Sequence, residues 1–331
     1  MRAAVYHQTG PAGTVLEFSD VPTPQPANGE VLVRIRASGL NPTDVKHRAG
    51  WNGLTMAHEM VIPHTDGAGE IIETGPGVDR ARMGQRVWLW NAQGGYGEAG
   101  RAFGTAAEFI TIAAEQAVPL ADGFSFAEGA CLGVPAMTAW WAVHSNGPVQ
   151  GQTVLVQGAA GAVGHAAVQI ALAGGAKVIG TISNPAAAEH AKTAVDLHLI
   201  DRKLEDVAAR VNKLTKGRGV DRIIEVDLAD NFATDIRMLA DNGTIASYSC
   251  SSNPHPVLPY YQLANLGATI NFVQGFRIPP ARRRRGEQAL AELSDAGRLQ
   301  IAIGQEFALN DIVAAHVRVE TGGLGNSVLC I

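Results

Sequence analysis

The sequence predicts an α/β protein in which a β-rich, barrel-like domain is combined with a doubly wound parallel sheet. Residues 152–183, QTVLVQGAAGAVGHAAVQIALAGGAKVIGTIS, read as strand, glycine turn, helix and strand, one complete βαβ unit. Strands and helices go on alternating to about residue 265, as a parallel sheet requires. Residues 1 to about 120 instead hold many short strands and few helices.

The totals bound the possibilities. A chain of 331 residues is long enough for two cores. A formal net charge of −5 and a sequence pI near 6.1 give no electrostatic case for a nucleic-acid or membrane partner. Cys131, Cys250 and Cys330 are odd in number and far apart, which is neither a disulfide framework nor a Cys-x-x-Cys metal site. His58-Glu59 and His64 have no second His or Cys at ligand spacing, so no metal is expected. No stretch resembles a signal peptide or membrane span, and a cytoplasmic protein is expected.

In chain order, Met1–Tyr6 opens as a strand, and Pro22, Pro24 and Pro26 mark the connection to Val31–Ala37, whose alternation suits a half-buried strand. Further strands are expected at 67–75, 85–90 and 105–112. Ser125 with Glu128 three residues on forms a capping box, and Gly133–Trp141 follows as a kinked apolar helix entry. Val154–Val156 is an apolar run of the kind buried in parallel sheets. Beyond Ser183 come a helix, a strand at Leu199-Ile200, a helix at about 204–215, a strand at 222–226 and a turn at Asn242-Gly243. A helix from Arg283 to Ala296 and strands at 305–307 and 327–329 are too few for a domain of their own. They are expected to return to the first. The expected division is residues 1–122 with 266–331, and residues 123–265, with the site in the cleft between them.

The turn after Val156 carries the chemistry. Glycines let the backbone approach a pyrophosphate, and the following helix directs free N–H groups and its positive dipole end at it. Gly161 and Gly164 occupy the second and third glycine positions of G-x-G-x-x-G, with Ala159 at the first. A site selective for NAD places Asp or Glu about 20 residues further on, to hold the ribose 2′-hydroxyl. Here Thr181, Ile182, Ser183 and Asn184 stand there, and Arg202 and Lys203 end the next strand. The pattern favours NADP(H), against which Asp201 is the opposing residue.

Ser38-Gly39-Leu40-Asn41-Pro42-Thr43-Asp44, Asp66-Gly67-Ala68-Gly69, Gly133–Ala139, the Gly158–Gly164 turn and Gly325–Leu329 together resemble the medium-chain dehydrogenase/reductase superfamily, along the whole chain. The branch they resemble is that of the zinc-free, zeta-crystallin-like quinone oxidoreductases. The resemblance implies a GroES-like domain, a Rossmann domain and a homodimer or homotetramer. Zinc alcohol dehydrogenases, which resemble the same fold, carry a ligand Cys near the position of Asn41 and a Gly-His-Glu near His64-Thr65-Asp66. Both are missing here, as is the four-cysteine structural zinc lobe.

By the same resemblance, Asn41 lies near the nicotinamide and orients it or hydrogen-bonds an acceptor oxygen. An Asn-Pro turn is the alternative reading. Lys46 stands where zeta-crystallin-like proteins have Tyr, and it contacts the cofactor or an enolate oxygen, or points into solvent. Further cofactor contacts are implied for Thr138, the backbone of Ala160, Gly161, Ala162 and Val163, Ser183, Arg202, Asn231, Tyr248, Ser249, Cys250, Ser251, Gln274, Gly275 and Phe276. Arg202 replaces an aromatic residue, and its guanidinium fork suits a phosphate. Two departures leave the acceptor unassigned: a long 88–103 segment containing Trp90, Tyr96 and Arg101, and Asn326 where Lys is common.

The expected function is NADPH-dependent, zinc-independent hydride transfer to a small-molecule quinone or α,β-unsaturated carbonyl, with the following proton drawn from water or Lys46. Two alternatives stand beside it. The run Arg282–Arg285 at a helix start opposes the dipole and could serve a nucleotide-dependent RNA-binding protein, an anionic substrate tail or a subunit contact, or be simply solvated. The other is an alcohol dehydrogenase using a metal through an unusual site.

Overall fold

The computed structural model describes residues 1–94, 100–192 and 197–331. Its strands in chain order are β1 (Arg2–Val5), β2 (Glu17–Asp20), β3 (Glu30–Leu40), β4 (Asp66–Thr74), β5 (Arg86–Leu89), β6 (Phe109–Ala113), β7 (Ala117–Pro119), β8 (Thr153–Val156), β9 (Lys177–Ile182), β10 (His198–Asp201), β11 (Val220–Glu225), β12 (Leu239–Ser247), β13 (Thr269–Phe272), β14 (Ile303–Ala308) and β15 (Asn326–Cys330). They fall into two compact units, residues 1–135 with 301–331, and residues 136–300.

The first unit is built on β3. Val31, Val33 and Ile35 alternate into a core with Ile71, Val87, Leu89, Ile110 and Ile112, a period of two that only a strand can bury on one side. β3 pairs antiparallel with β4, β6 and β15, giving the path β14-β15-β3-β4-β5-β7 with β6 off it. β15 lies beside the end of β3 that leads into Asn41, with Ser327 opposite Leu40. The strand expected from Thr105 begins only at Phe109, because the Thr105 and Ala106 N–H groups bond the His64 and Pro63 carbonyls outside any ladder.

The second unit is a six-stranded, all-parallel sheet in the order β10-β9-β8-β11-β12-β13. Chain order reverses at β8, and doubly wound sheets bind ligands at such a switch point, outside the carboxyl ends of the strands. The helix Ala162–Ala173 is buried continuously from Gly164 to Ala171. Its two polar members are used internally: Gln169 Oε1 accepts the Gln300 N–H at 2.8 Å, its Nε2 donates to the Gln300 carbonyl at 2.9 Å, and that Nε2 also lies 3.1 Å from His165 Nδ1.

The division differs from the expected one at two points. Residues 123–135 group with the first unit, and 266–300 with the second. The reason for the second is that β13 adds in parallel to β12 and the helix Pro280–Asp295 packs on the helix Met137–His144. That helix begins at Pro280 rather than Arg283, with proline in the first position where its missing N–H costs nothing. The capping box at Ser125 is formed: Ser125 N donates to Glu128 Oε2 at 2.9 Å, and Glu128 N to Ser125 Oγ at 3.2 Å. Among the described residues no helix is long and apolar enough to cross a membrane.

Candidate functional site

The glycine turn has the geometry of a phosphate cradle. Gly158 sits at φ +68, a conformation that L side chains avoid, and Gly161 is the N-cap of the helix Ala162–Ala173. His165 N closes the first helical bond onto the Gly161 carbonyl at 2.8 Å, so Ala162, Val163 and Gly164 N–H precede the ladder. The first turn holds no acidic residue to repel an anion. A Cβ on Gly164 would collide with the Gly158 carbonyl, so only glycine lets the helix close on the turn. These features fit a nucleotide diphosphate, which the Ala160 to Val163 backbone and the Gly164 N–H would hold.

The carboxyl edge of the sheet collects the other candidates of this unit. Arg202 N donates to the Ile182 carbonyl at 2.9 Å, which sets Arg202 beside Ser183 as β10 and β9 end together. The Asp201 carboxylate turns to its own backbone, accepting Lys203 N at 2.9 Å, so the residue that opposed a 2′-phosphate is engaged locally. The Arg202 guanidinium lies 3.7 Å from the Asp230 carboxylate, an exposed pair of small energetic weight. Asn231, next to Asp230, donates to Glu225 at 2.8 Å. Ser249 and Ser251 hydroxyls are 2.9 Å apart, Cys250 Sγ donates to the Asn253 carbonyl, and burial followed by the Glu225 charge raises the Tyr248 phenol. Gly275 approaches Thr138 closely enough that a Cβ there would sit 2.9 Å from Thr138 Oγ1. Gln274, Gly275 and Phe276 follow directly on β13. Arg283 is only 6% exposed and donates to the Gly275 carbonyl at 3.2 Å, so one of the four consecutive arginines is a packing residue, while Arg282, Arg284 and Arg285 are exposed.

Asn41 and Lys46 belong to the first unit. Asn41 caps the helix Pro42–Ala49 and is 4% exposed. Its N–H donates to Asp44 Oδ2 at 2.7 Å and its Nδ2 to Asp66 Oδ2 at 2.9 Å, so both backbone and amide are tied to carboxyls. Asp66 Oδ2 also accepts the Val134 N–H at 2.8 Å, while Oδ1 is buried without a partner. A side chain on Gly133 would strike Asp66 Oδ1, which is why glycine stands there. Burial, then the Asp44 charge, lifts Asp66 well above the usual carboxylate range, and burial pushes Asp44 up to about 7. Lys46 Nζ lies 4.5 Å from the Trp51 ring centroid, a cation–π contact.

A second polar chain runs beneath. Ser38 Oγ lies 2.9 Å from His64 Nδ1 and 2.8 Å from Thr105 Oγ1, and His64 Nε2 lies 3.1 Å from His316 Nε2. Burial holds His64 well below its ordinary value and His316 at about 3, so both rings are neutral, one donating to the other.

The structure thus gathers Ala160–Val163, Ser183, Arg202, Asn231, Tyr248–Ser251, Gln274–Phe276 and Thr138 in one unit, and Asn41 with Lys46 in the other. Tyr96 of the long 88–103 segment lies outside the described residues. Sequence reasoning passed over Asp44 and Asp66 as functional groups, although both stand in the two motifs that carry the resemblance. It also passed over Glu225, a carboxylate ending the apolar run Ile223-Ile224, which was the signal available. Among the described residues no three His, Cys, Asp or Glu side chains converge as a metal site would require.

A six-stranded parallel sheet in one unit and a β-rich second unit of this topology are the architecture of a medium-chain dehydrogenase/reductase. Residues 27–122 match the alcohol dehydrogenase GroES-like domain, and residues 162–295 match a family described as zinc-binding dehydrogenase. The chain is 30% identical to the quinone oxidoreductase of Rattus norvegicus and 31% to that of Mus musculus, in both cases over 100% of this chain and 98% of the relative. It is 29% identical to a 2-haloacrylate reductase of Burkholderia sp, over 96% of this chain and 94% of that one. Among solved structures it is similar to an NAD-dependent alcohol dehydrogenase, with TM-score 0.90 and 27% identity, and to a mycobacterial protein complexed with NADPH, with TM-score 0.86 and 27% identity, each over 100% of both chains. The chain belongs to the quinone oxidoreductase family of the medium-chain dehydrogenase/reductase superfamily.

Proposed function

We propose that the protein is an NADPH-dependent, zinc-independent reductase acting on a quinone or an α,β-unsaturated carbonyl. The observation that carries this reading is the pairing of the glycine cradle with Ser183 and Arg202 at the neighbouring strand ends. Bound there, a reduced nicotinamide supplies the hydride. The chain's own residues bind and orient: Ala162, Val163 and Gly164 N–H receive the diphosphate, and Ser183 and Arg202 receive the 2′-phosphate. The names of the quinone oxidoreductase and 2-haloacrylate reductase relatives support an electron-poor acceptor. Such an acceptor needs no Lewis acid to polarise it. The amide at Asn41, held by Asp66 where zinc alcohol dehydrogenases keep a thiolate, supports zinc independence.

The test is NADPH oxidation measured over quinones, enones and unsaturated acids, with NADH in parallel and with chelator. Turnover that chelator abolishes and zinc restores would refute the metal-free reading. Arg202→Ala should raise the KM for NADPH about tenfold, the weight of one charge-assisted contact, and leave that for NADH nearly unchanged. Equal losses would remove Arg202 from the phosphate site. The resemblance also supports a homodimer, for which the second unit offers β13 at the end of its sheet, with Phe272 78% exposed and Tyr260 and Tyr261 exposed nearby in sequence.

A further inference from the structure

Two buried carboxyls of the nucleotide unit have no part in the contacts proposed above. Glu225 ends β11, Asp235 lies in the helix Leu228–Ile236, and both are wholly buried. Asp235 Oδ1 accepts Gln157 Nε2 at 3.0 Å. Glu225 Oε1 accepts Asn231 Nδ2 at 2.8 Å and the Asp227 N–H. The remaining oxygens, Asp235 Oδ2 and Glu225 Oε2, are both buried without a hydrogen-bond partner, and the two carboxyls are near enough for each to act on the ionisation of the other. Ionised carboxylates only accept, so two such orphaned oxygens can satisfy each other only with a proton on the pair, and a single proton would serve both.

The bonds continue in both directions. Gly158 N donates to Thr181 Oγ1 at 3.0 Å, and Thr181 Oγ1 donates to Gln157 Oε1 at 2.8 Å. One end of the chain is therefore the left-handed glycine of the phosphate turn. The other is Asn231, at the carboxyl edge of the sheet. Resting on the reading of that turn as a nicotinamide nucleotide site, we propose that Asp235 and Glu225 are positioning residues which share one proton and thereby hold the glycine turn and Asn231 in a single arrangement for NADPH.

Among the described residues no cation pairs with either carboxyl. The ionisable groups that act on the pair are Asp227, which accepts from Ser252, and the Tyr248 phenol. On the helix and just past it, Asp230 pairs with Arg202 and Arg237 with Asp206. On the elements packed against the helix, Arg210 pairs with Glu205 and Arg218 with Asp221, Arg222 donates to the Val143, Asn146 and Gly147 carbonyls, and Lys213 and Asp241 are exposed. Burial raises both carboxyls, and Glu225 raises Asp235 further. Loss of the shared proton as pH rises leaves two adjacent carboxylates, and the relay opens.

The experiment is the NADPH Kd, read by nicotinamide fluorescence from about pH 6 to about pH 10, for wild type, Asp235→Asn and Asp235→Ala. An amide at 235 can still accept from Gln157 and donate to Glu225 without a titrating proton. The ratio of wild-type to Asp235→Asn Kd should rise about tenfold toward high pH, and titration of the nucleotide's own phosphate cancels in it. Asp235→Ala should bind weakly at every pH. A ratio that stays flat, or Asp235→Asn as weak as Asp235→Ala, overturns the proposal. Should wild type bind no nicotinamide nucleotide, the cofactor reading falls instead. Hydrogen exchange at the Gly158 amide then judges the pair: acceleration with pH beyond that of Asp235→Asn sustains it, and equal rates refute it.

Discussion

Asn41 was legible as a functional candidate because it stands, in a motif that carries the resemblance, near the position where zinc alcohol dehydrogenases have a ligand Cys. The carboxyls that hold it were not, because Asp44 and Asp66 are 22 positions apart in the chain and meet only through β4 and the helix Pro42–Ala49. Asp44 has consequences for stability. Its folded-state value of about 7 lies above that of a free Asp, so the folded protein holds the proton more tightly than the unfolded chain. Its stabilising contribution is complete below about pH 4 and is lost as pH rises to about 7. Asp44→Asn should flatten the fall in Tm across that range, and an unchanged slope would assign it to other groups. Asp66→Ala removes the acceptor for Asn41 Nδ2 and Val134 N–H, and should cost roughly 1–3 kcal/mol by denaturant titration and lower kcat. Asp66→Asn, which can still accept, should recover part of the stability.

At the scale of elements, the unit from β8 through the helix Ala162–Ala173 to β9 was readable because three local signals coincide: an apolar strand run, a small-residue turn and a helix without charges. Local pattern could not say how tightly the turn packs. Gly164 meets the Gly158 carbonyl so closely that Gly164→Ala should abolish measurable NADPH binding and lower Tm by several degrees. Binding retained within about threefold would mean that the turn can relax. The strand beginning at Thr105 and the helix beginning at Arg283 were misjudged for different reasons. Alternation extends beyond the ladder bonds in the first case, and in the second the helix starts three residues earlier, on a proline whose missing N–H costs nothing there.

For the whole molecule, the return of the C-terminal segment was readable only as a shortage of strands, and its starting point was placed too early. β13 was invisible as a sixth parallel strand because Thr269–Phe272 is half-exposed, and a sheet edge lacks the continuous apolar run of a central strand. If that edge mates with its copy, Phe272→Glu should convert a dimer to a monomer in sedimentation at micromolar concentration. Unaltered sedimentation would move the contact elsewhere.

The pairing of β15 with β3 also orders events during synthesis. Residues 136–300 form an uninterrupted stretch that can finish folding while the ribosome still holds the tail. The strand leading into Asn41 must instead wait, one flank bare, until residues 326–330 have been made. A nascent chain stalled shortly before Asn326 should resist protease in its middle and be cut near its beginning.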